Sequence, residues 1–282
     1  MTRPAKNRAE EFCIKFWGTR GTRMVARDGY SSFGRNTICV EVRCGDRTIV
    51  LDAGSGLAGL GADLLQRNVK SIDLFLTHSH YDHVEGIPFF QPFYEADFQT
   101  TFWSGRLKGI KDTREIVDGL MKEPYFPIRQ EKFHASIKYK NIEDEATLNL
   151  GDGIEIQTMR LHHPGGATGY RINYLGKSFC FITDTTHAPD QRDVDLLSFI
   201  SDTDAFAYDC SYTDEEFPKF ASFGHSTWEE AGRLRKASKA KLMLGLHHMP
   251  FRDDIELEAI TKRISKEDPK CRVATDGLVV QL

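Results

Sequence analysis

Apolar and polar residues alternate in short runs along this chain, and those runs predict strands first. Residues 13–17, 37–42, 48–51 and 73–77 are β-branched or aromatic-rich and end at Gly or Asp. Between the last two, Leu57, Leu60, Leu64 and Leu65 recur at helical spacing, although Gly54, Gly56, Gly59 and Gly61 weaken the start. A second strand series follows at 154–160, 169–174, 178–183, 205–209, 241–246 and 278–282. Two late helices carry start signals. Ser226 and Glu229 have capping-box spacing ahead of Trp228, Ala231, Leu234 and Ala237; Asp253 and Glu256 do the same ahead of Leu257, Ile260 and Ile264. The pattern is that of an α/β protein. No linker or repeat divides it, so one domain over 1–282 is expected, with 1–11 a flexible tail.

Composition narrows the function. Of 282 residues, 40% are hydrophobic and 28% charged, which supports a sizeable core and excludes a disordered chain. The 37 basic and 41 acidic residues leave a net charge of −4, which argues against nucleic-acid binding through bulk positive charge. No stretch approaches the roughly 18 apolar residues of a membrane span, and the first twelve residues hold no apolar signal core. The six cysteines are scattered without C-x-x-C spacing and read as reduced, partly buried thiols. A soluble cytoplasmic protein is expected.

The strongest chemical signal is Thr77-His78-Ser79-His80-Tyr81-Asp82-His83, directly after an apolar strand. Residues i and i+2 of an extended segment point the same way, so His78 and His80 can grip one ion while Asp82 and His83 reach toward a second. Three imidazoles and a carboxylate within six residues suit a metal site and little else. The rest of the chain must complete the ligand sets. Candidates are His134, His162, His163, His187, His225, His247 and His248, with Asp184 and Asp209 at strand ends, where loops converge on one cleft.

H-x-H-x-D-H after a strand resembles the metallo-β-lactamase superfamily, whose fold is an αβ/βα sandwich of two mixed sheets flanked by helices. Three later segments resemble that family's remaining ligand motifs: His163-Pro164-Gly165-Gly166-Ala167-Thr168-Gly169-Tyr170, Thr183-Asp184-Thr185 and His247-His248-Met249-Pro250. The family's spacing selects His163 over His162 and His247 over His248. The resemblance implies a metal set of His78, His80, Asp82, His83, His163, Asp184 and His247, holding two divalent ions, Zn²⁺ or Mn²⁺, with Fe²⁺ also compatible. Gly224-His225-Ser226-Thr227 resembles the extra-histidine motif of the phosphodiesterase branch, which includes ribonuclease Z and cyclic-phosphate diesterases.

That branch implies roles for further residues. A metal-bound hydroxide attacks phosphorus, with Asp82 in the catalytic set. His225 donates a proton to the leaving oxygen, and Asp209 orients His225. Asp52 steadies a metal-binding histidine from behind. Ser226, expected to cap a helix, places His225 and a phosphate at the helix N-terminus. The segment 88–133 is dense in aromatic rings, most of them core. Within it Pro124-Tyr125-Phe126-Pro127 is expected to hold Tyr125 and Phe126 as a wall of the cleft. The expected substrate is a small cyclic phosphodiester, a 3′,5′-cyclic nucleotide. The alternatives are a ribonuclease Z-like tRNA 3′-end endonuclease leaning on Arg106, Lys108 and Lys111, and a non-catalytic metal or nucleotide sensor. A homodimer is the assembly considered. Arg35 stands where relatives often carry glycine, with no role readable from sequence.

Overall fold

The computed structural model describes residues 11–105, 112–124, 126–143, 145–188 and 191–282. Tyr125, the basic residues Arg106, Lys108 and Lys111, and positions 1–10 of the expected tail lie outside the described residues. Among the described residues the chain forms two seven-stranded mixed sheets.

Strands β1 (Phe12–Gly18), β2 (Cys39–Cys44) and β3 (Arg47–Leu51) form an antiparallel meander. Helix α1 (Gly56–Gln66), β4 (Ser71–Leu76), the short α2 (Tyr81–Val84), β5 (Gln99–Gly105), α3 (Thr113–Leu120) and β6 (Ser136–Ile142) follow, and β3 to β6 run parallel. The second sheet begins with the antiparallel β7 (Thr147–Gly151), β8 (Ile154–Leu161), β9 (Ala167–Tyr174) and β10 (Lys177–Ile182). Its parallel half is β10, β11 (Ala205–Asp209), β12 (Met243–Leu246) and β13 (Cys271–Val273). Helices α4 (Val194–Phe199), α5 (Phe217–Phe220), α6 (Trp228–Ser238) and α7 (Asp254–Glu267) connect these strands. The last strand, β14 (Val279–Gln281), returns to pair antiparallel with β1.

The sheets face each other across one core. Ile14, Phe16, Val40, Val42, Leu51 and Phe75 of the first meet Ile156, Tyr170, Ile172, Phe181, Ala207 and Leu244 of the second. Outside the second sheet, Trp228, Ala231 and Leu234 of α6 and Leu257, Ile260 and Ile264 of α7 bury their apolar stripes. Outside the first, α1 packs with the aromatic segment, where Phe90, Phe93, Phe98 and Phe102 are fully buried. This is the expected αβ/βα sandwich. The glycines of α1 have a packing reason: a Cβ on Gly56 would lie 2.5 Å from the Trp17 carbonyl oxygen, and one on Gly61 2.9 Å from Phe90 Cδ2. All six cysteines are buried and unbridged.

Several local expectations need correction. Strands β5, β6, β7 and β13 and helices α3 and α4 were not signalled by the apolar runs. Strand β6 alternates Ile137 and Tyr139 with exposed Ser136, Lys138 and Lys140, as an edge strand does. Helix α6 is capped by Thr227, whose hydroxyl accepts from the Glu230 N–H, not by Ser226. Ser226 is fully buried, and its Oγ accepts from the Tyr208 hydroxyl at 3.0 Å and lies 2.8 Å from His187 Nδ1. At the far end of α6, Ser238 occupies the buried position expected of Ala237, which is exposed. The Asp253 cap of α7 accepts from the Glu256 N–H as expected.

The cap assignment is testable by urea unfolding. Thr227→Ala removes an acceptor for the Glu230 N–H and a donor to Asp214, so it should cost about 1 kcal/mol or more of stability.

Candidate metal centre

Segments following β4, β10, β11 and β12 converge at one edge of the sandwich. The first carries His78 and His80 in extended backbone before α2 places Asp82 and His83 on its single turn. Two contacts lock it to the second sheet: Tyr170 Oη donates to the Leu76 carbonyl at 2.5 Å, and the Thr168 N–H donates to the Thr77 carbonyl. Asp184 follows β10 and His247 follows β12. Both adopt left-handed backbone, with φ of 56° and 63°, as does Asp52 after β3 with 59°. Such conformations cost of order 1–3 kcal/mol each and concentrate at functional sites.

The side chains meet as two groups sharing Asp184. In one, His78 Nε2 lies 2.9 Å and His163 Nε2 3.1 Å from His80 Nδ1, and both Nε2 atoms lie 3.7–3.8 Å from Asp184 Oδ1. In the other, His83 Nε2 is 3.1 Å from Asp184 Oδ2, and His247 Nε2 is 3.3 Å from Asp184 Oδ1. Those two nitrogens are 3.5 and 3.4 Å from Asp82 Oδ2. The seven residues inferred from motif spacing are thus together. The twin histidines separate as expected. His162 is exposed near Asp193, whereas buried His248 donates from Nε2 to the Ala274 carbonyl and stacks on Trp228. Burial pushes His248 down to about 3. His134 is outside the cluster, beside the Tyr94 carbonyl. Arg35 is exposed and outside the cluster; its backbone N–H donates to Asp276 and its carbonyl accepts from the Val25 N–H.

His83, His163 and His247 are held from behind. Asp52 accepts from His83 Nδ1 at 2.8 Å and from the Thr77 N–H and hydroxyl. His163 Nδ1 donates to the Gly224 carbonyl, and Ser211 Oγ lies 2.9 Å from His247 Nδ1. Such contacts fix tautomer and ring orientation. The Ser211 contact had no sequence signal beyond its place two residues after Asp209. Gly224 had one in the Gly224-His225-Ser226-Thr227 motif, and the structure gives it a reason: its φ is 84°, and a Cβ there would fall 2.6 Å from His163 Nδ1.

Electrostatics test whether cations fit. Asp52, Asp82, Asp184 and Asp209 are all buried, and none forms an ion pair with Lys or Arg among the described residues. Burial, helped by the neighbouring histidines, holds His78, His80 and His163 below the ordinary histidine value, as neutral donors that a metal requires. At His83 and His247 burial acts the same way, but Asp184 outweighs it and raises both, together with Asp82 and Asp52 at His83 and with Asp209 and Asp82 at His247. The carboxylates therefore demand positive charge at these positions. His83 Nε2 and His247 Nε2 are also buried without a hydrogen-bond partner. Buried imidazole nitrogens facing buried carboxylates that have no Lys or Arg partner among the described residues fit divalent metal ions, and His78, His80, His163, Asp82, His83, His247 and Asp184 would hold them.

His225 stands beside this set. Its Nδ1 donates to Asp209 Oδ2 at 2.8 Å, its ring stacks on His247 at 4.5 Å between centroids, and it is slightly exposed. Ser226 and Phe126 fare differently. Ser226 is turned into the protein, as described above. Phe126 is half-buried and meets exposed Phe89 edge-to-face at 5.7 Å.

Comparison with known proteins agrees with this geometry. The family model described as "Beta-lactamase superfamily domain" matches residues 47–248. The chain is similar to ribonuclease Z of Nanoarchaeum equitans (strain Kin4-M), 24% identical over 255 residues, covering 77% of this chain and 79% of that protein. Among solved structures it resembles the metallo-beta-lactamase fold protein YhfI from Bacillus subtilis, with a TM-score of 0.72 and 16% identity over 96% of this chain and 100% of that one. It also resembles a diphosphatase from the PhnP family, with a TM-score of 0.70 and 17% identity over 96% and 98% of the two chains.

Metal analysis after equilibration with Zn²⁺ or Mn²⁺ and dialysis checks the ligand set. Asp184→Ala should lose most bound metal, because its carboxylate faces both groups. His163→Ala should lose part of it, and His162→Ala should retain the wild-type content.

Proposed function

The chain belongs to the beta-lactamase superfamily and is a metal-dependent hydrolase; from that premise we propose that it cleaves a small cyclic phosphodiester, a 3′,5′-cyclic nucleotide, with two divalent ions. The observation that carries the phosphodiesterase reading is the Asp209–His225 pair set against the seven-residue ligand cluster. Divalent ions bound there supply Lewis acidity, neutralising charge on a phosphoryl group and acidifying water.

The chain's own residues act on the leaving oxygen. Hydrolysis breaks one P–O ester bond, and the departing alkoxide needs a proton. His225 is oriented by Asp209 through Nδ1, which leaves Nε2 to carry that proton. The carboxylate fixes the ring's orientation, much as it does for acid–base histidines elsewhere. Burial opposes the charge of Asp209, but His225 and His247 outweigh it and hold the carboxyl below its ordinary value. Asp209 is therefore ionised when it is needed. The pair Phe89 and Phe126 supports a small aromatic ligand: exposed Phe89 and half-buried Phe126 offer a surface on which a base can stack.

The similarity to ribonuclease Z favours a second reading, a tRNA 3′-end endonuclease. The net charge of −4 works against it. The two readings part on salt and substrate. Wild-type protein should hydrolyse a cyclic nucleotide with weak dependence on salt. Precursor tRNA cleaved at low enzyme concentration, with cyclic nucleotides untouched, would establish the second reading instead.

Two substitutions probe the roles. His225→Ala should keep its metal content and lose roughly 10²–10⁴-fold in rate. The loss should shrink on a nitrophenyl ester, whose leaving group needs no proton. Phe126→Ala should raise KM for a cyclic nucleotide about tenfold, from loss of stacking worth ~1–3 kcal/mol. It should leave a bis-nitrophenyl diester nearly unchanged.

A further inference from the structure

The loop from Thr19 to Thr22 carries features that the ligand set and the proton donor do not explain. Arg20 is fully buried, yet among the described residues it makes no ion pair. Its Nε donates to the Gly34 carbonyl at 2.8 Å, its Nη1 to the Arg252 carbonyl at 2.7 Å, and its guanidinium lies 5.0 Å over the Tyr30 ring. Its Nη2 is buried without a partner. Burying a cation with neutral acceptors alone is costly. The backbone of Arg20 also bridges Thr37 on one side and His248 on the other, and so ties the loop to the neighbour of a metal ligand.

The next two residues show what that investment holds. A Cβ on Gly21 would lie 2.1 Å from His247 Cε1, so the loop backbone lies directly against the ring. Thr22 has φ of 65°, an outlier for a β-branched residue. That conformation aims the Thr22 N–H at Asp82 Oδ2, to which it donates at 2.6 Å. The same oxygen faces His83 Nε2 and His247 Nε2. Strain that persists at a functional site is maintained by its surroundings, and here the buried Arg20 maintains it.

We infer that Arg20, Gly21 and Thr22 are positioning residues for one of two ion sites, the one formed by Asp82, His83 and His247, and that they set its affinity independently of the site formed by His78, His80 and His163. The loop's contacts fall on Asp82 and His247 and on none of the other three. The inference rests on the two-ion reading.

Equilibrium dialysis of metal-free protein against graded Mn²⁺ tests it, with thermal unfolding of the metal-free protein as a record of folding. Wild-type protein should bind two ions. Gly21→Ala should weaken one binding step at least tenfold and leave the other within twofold, with metal-free unfolding little changed. Arg20→Met, which keeps the stem's bulk and removes both bonds to carbonyls, should give the same selective loss and reads the same point if Gly21→Ala fails to fold. Two ions bound by a folded variant at wild-type affinities would overturn the inference alone, as would equal weakening of both steps. A single ion in the wild type would overturn the two-ion reading and this inference with it.

Discussion

Four carboxylates, Asp52, Asp82, Asp184 and Asp209, lie buried in one cleft with imidazoles, hydroxyls and backbone N–H groups around them. That density of negative charge is the constraint on which the site depends. Ionised carboxylates out of water are tolerated only when paired, hydrogen-bonded or coordinated to metal. The fold answers in part by hydrogen bonding: Thr77 and His83 serve Asp52, Thr22 serves Asp82, and Ser211 and His225 serve Asp209. Asp184 accepts from the Thr183 hydroxyl at 2.6 Å and otherwise faces histidine nitrogens from both sheets.

The sandwich sets how those charges are spaced. Antiparallel halves supply much of the core, while the segments carrying His78 to His83, Asp184 and His247 follow strands that run parallel to a neighbour and His163 follows the antiparallel β8. The distance between His83, after β4, and His247, after β12, is therefore fixed by sheet-on-sheet packing. Phe75 against Tyr170, at 5.4 Å between ring centroids, is part of that packing, and the Tyr170 hydroxyl on Leu76 carries it to the base of the ligand loop. A rigid interface is needed because ligand geometry tolerates only fractions of an ångström.

Much of the centre was legible because its signals are local. His78, His80, Asp82 and His83 share one segment after a strand, and resemblance to the family's motifs, through their spacing, favoured His163 over His162 and His247 over His248. The supports were less legible. Ser211 has no pattern, Thr22 acts through its backbone N–H, and Arg20 sits in a loop whose partners, Gly34 and Arg252, are far apart in sequence. Among elements, most core strands announced themselves by apolar runs, β5 with its buried Phe102 being an exception. Edge strand β6 did not, because only Ile137 and Tyr139 face inward between solvent-facing lysines. Helix α3 carried a legible capping box, Asp112 with Glu115, that the dense rings around it obscured. The Ser226 error came from a one-residue ambiguity: Ser226/Glu229 and Thr227/Glu230 have the same spacing, and only the buried hydroxyl of Ser226 separates them.

Asp209 joins the two halves of the chemistry. One of its oxygens accepts from His225 Nδ1 and the other from the Ser211 hydroxyl, which also meets His247 Nδ1. The ring of His225 stacks on that of His247. A single buried carboxylate thus orients both His225 and, through one hydroxyl, the ring of His247. Because Asp209 ends the central parallel strand β11, a shift of that strand would move both rings together. Their relative placement is preserved by construction, which is what the proposed proton delivery to a leaving oxygen would require.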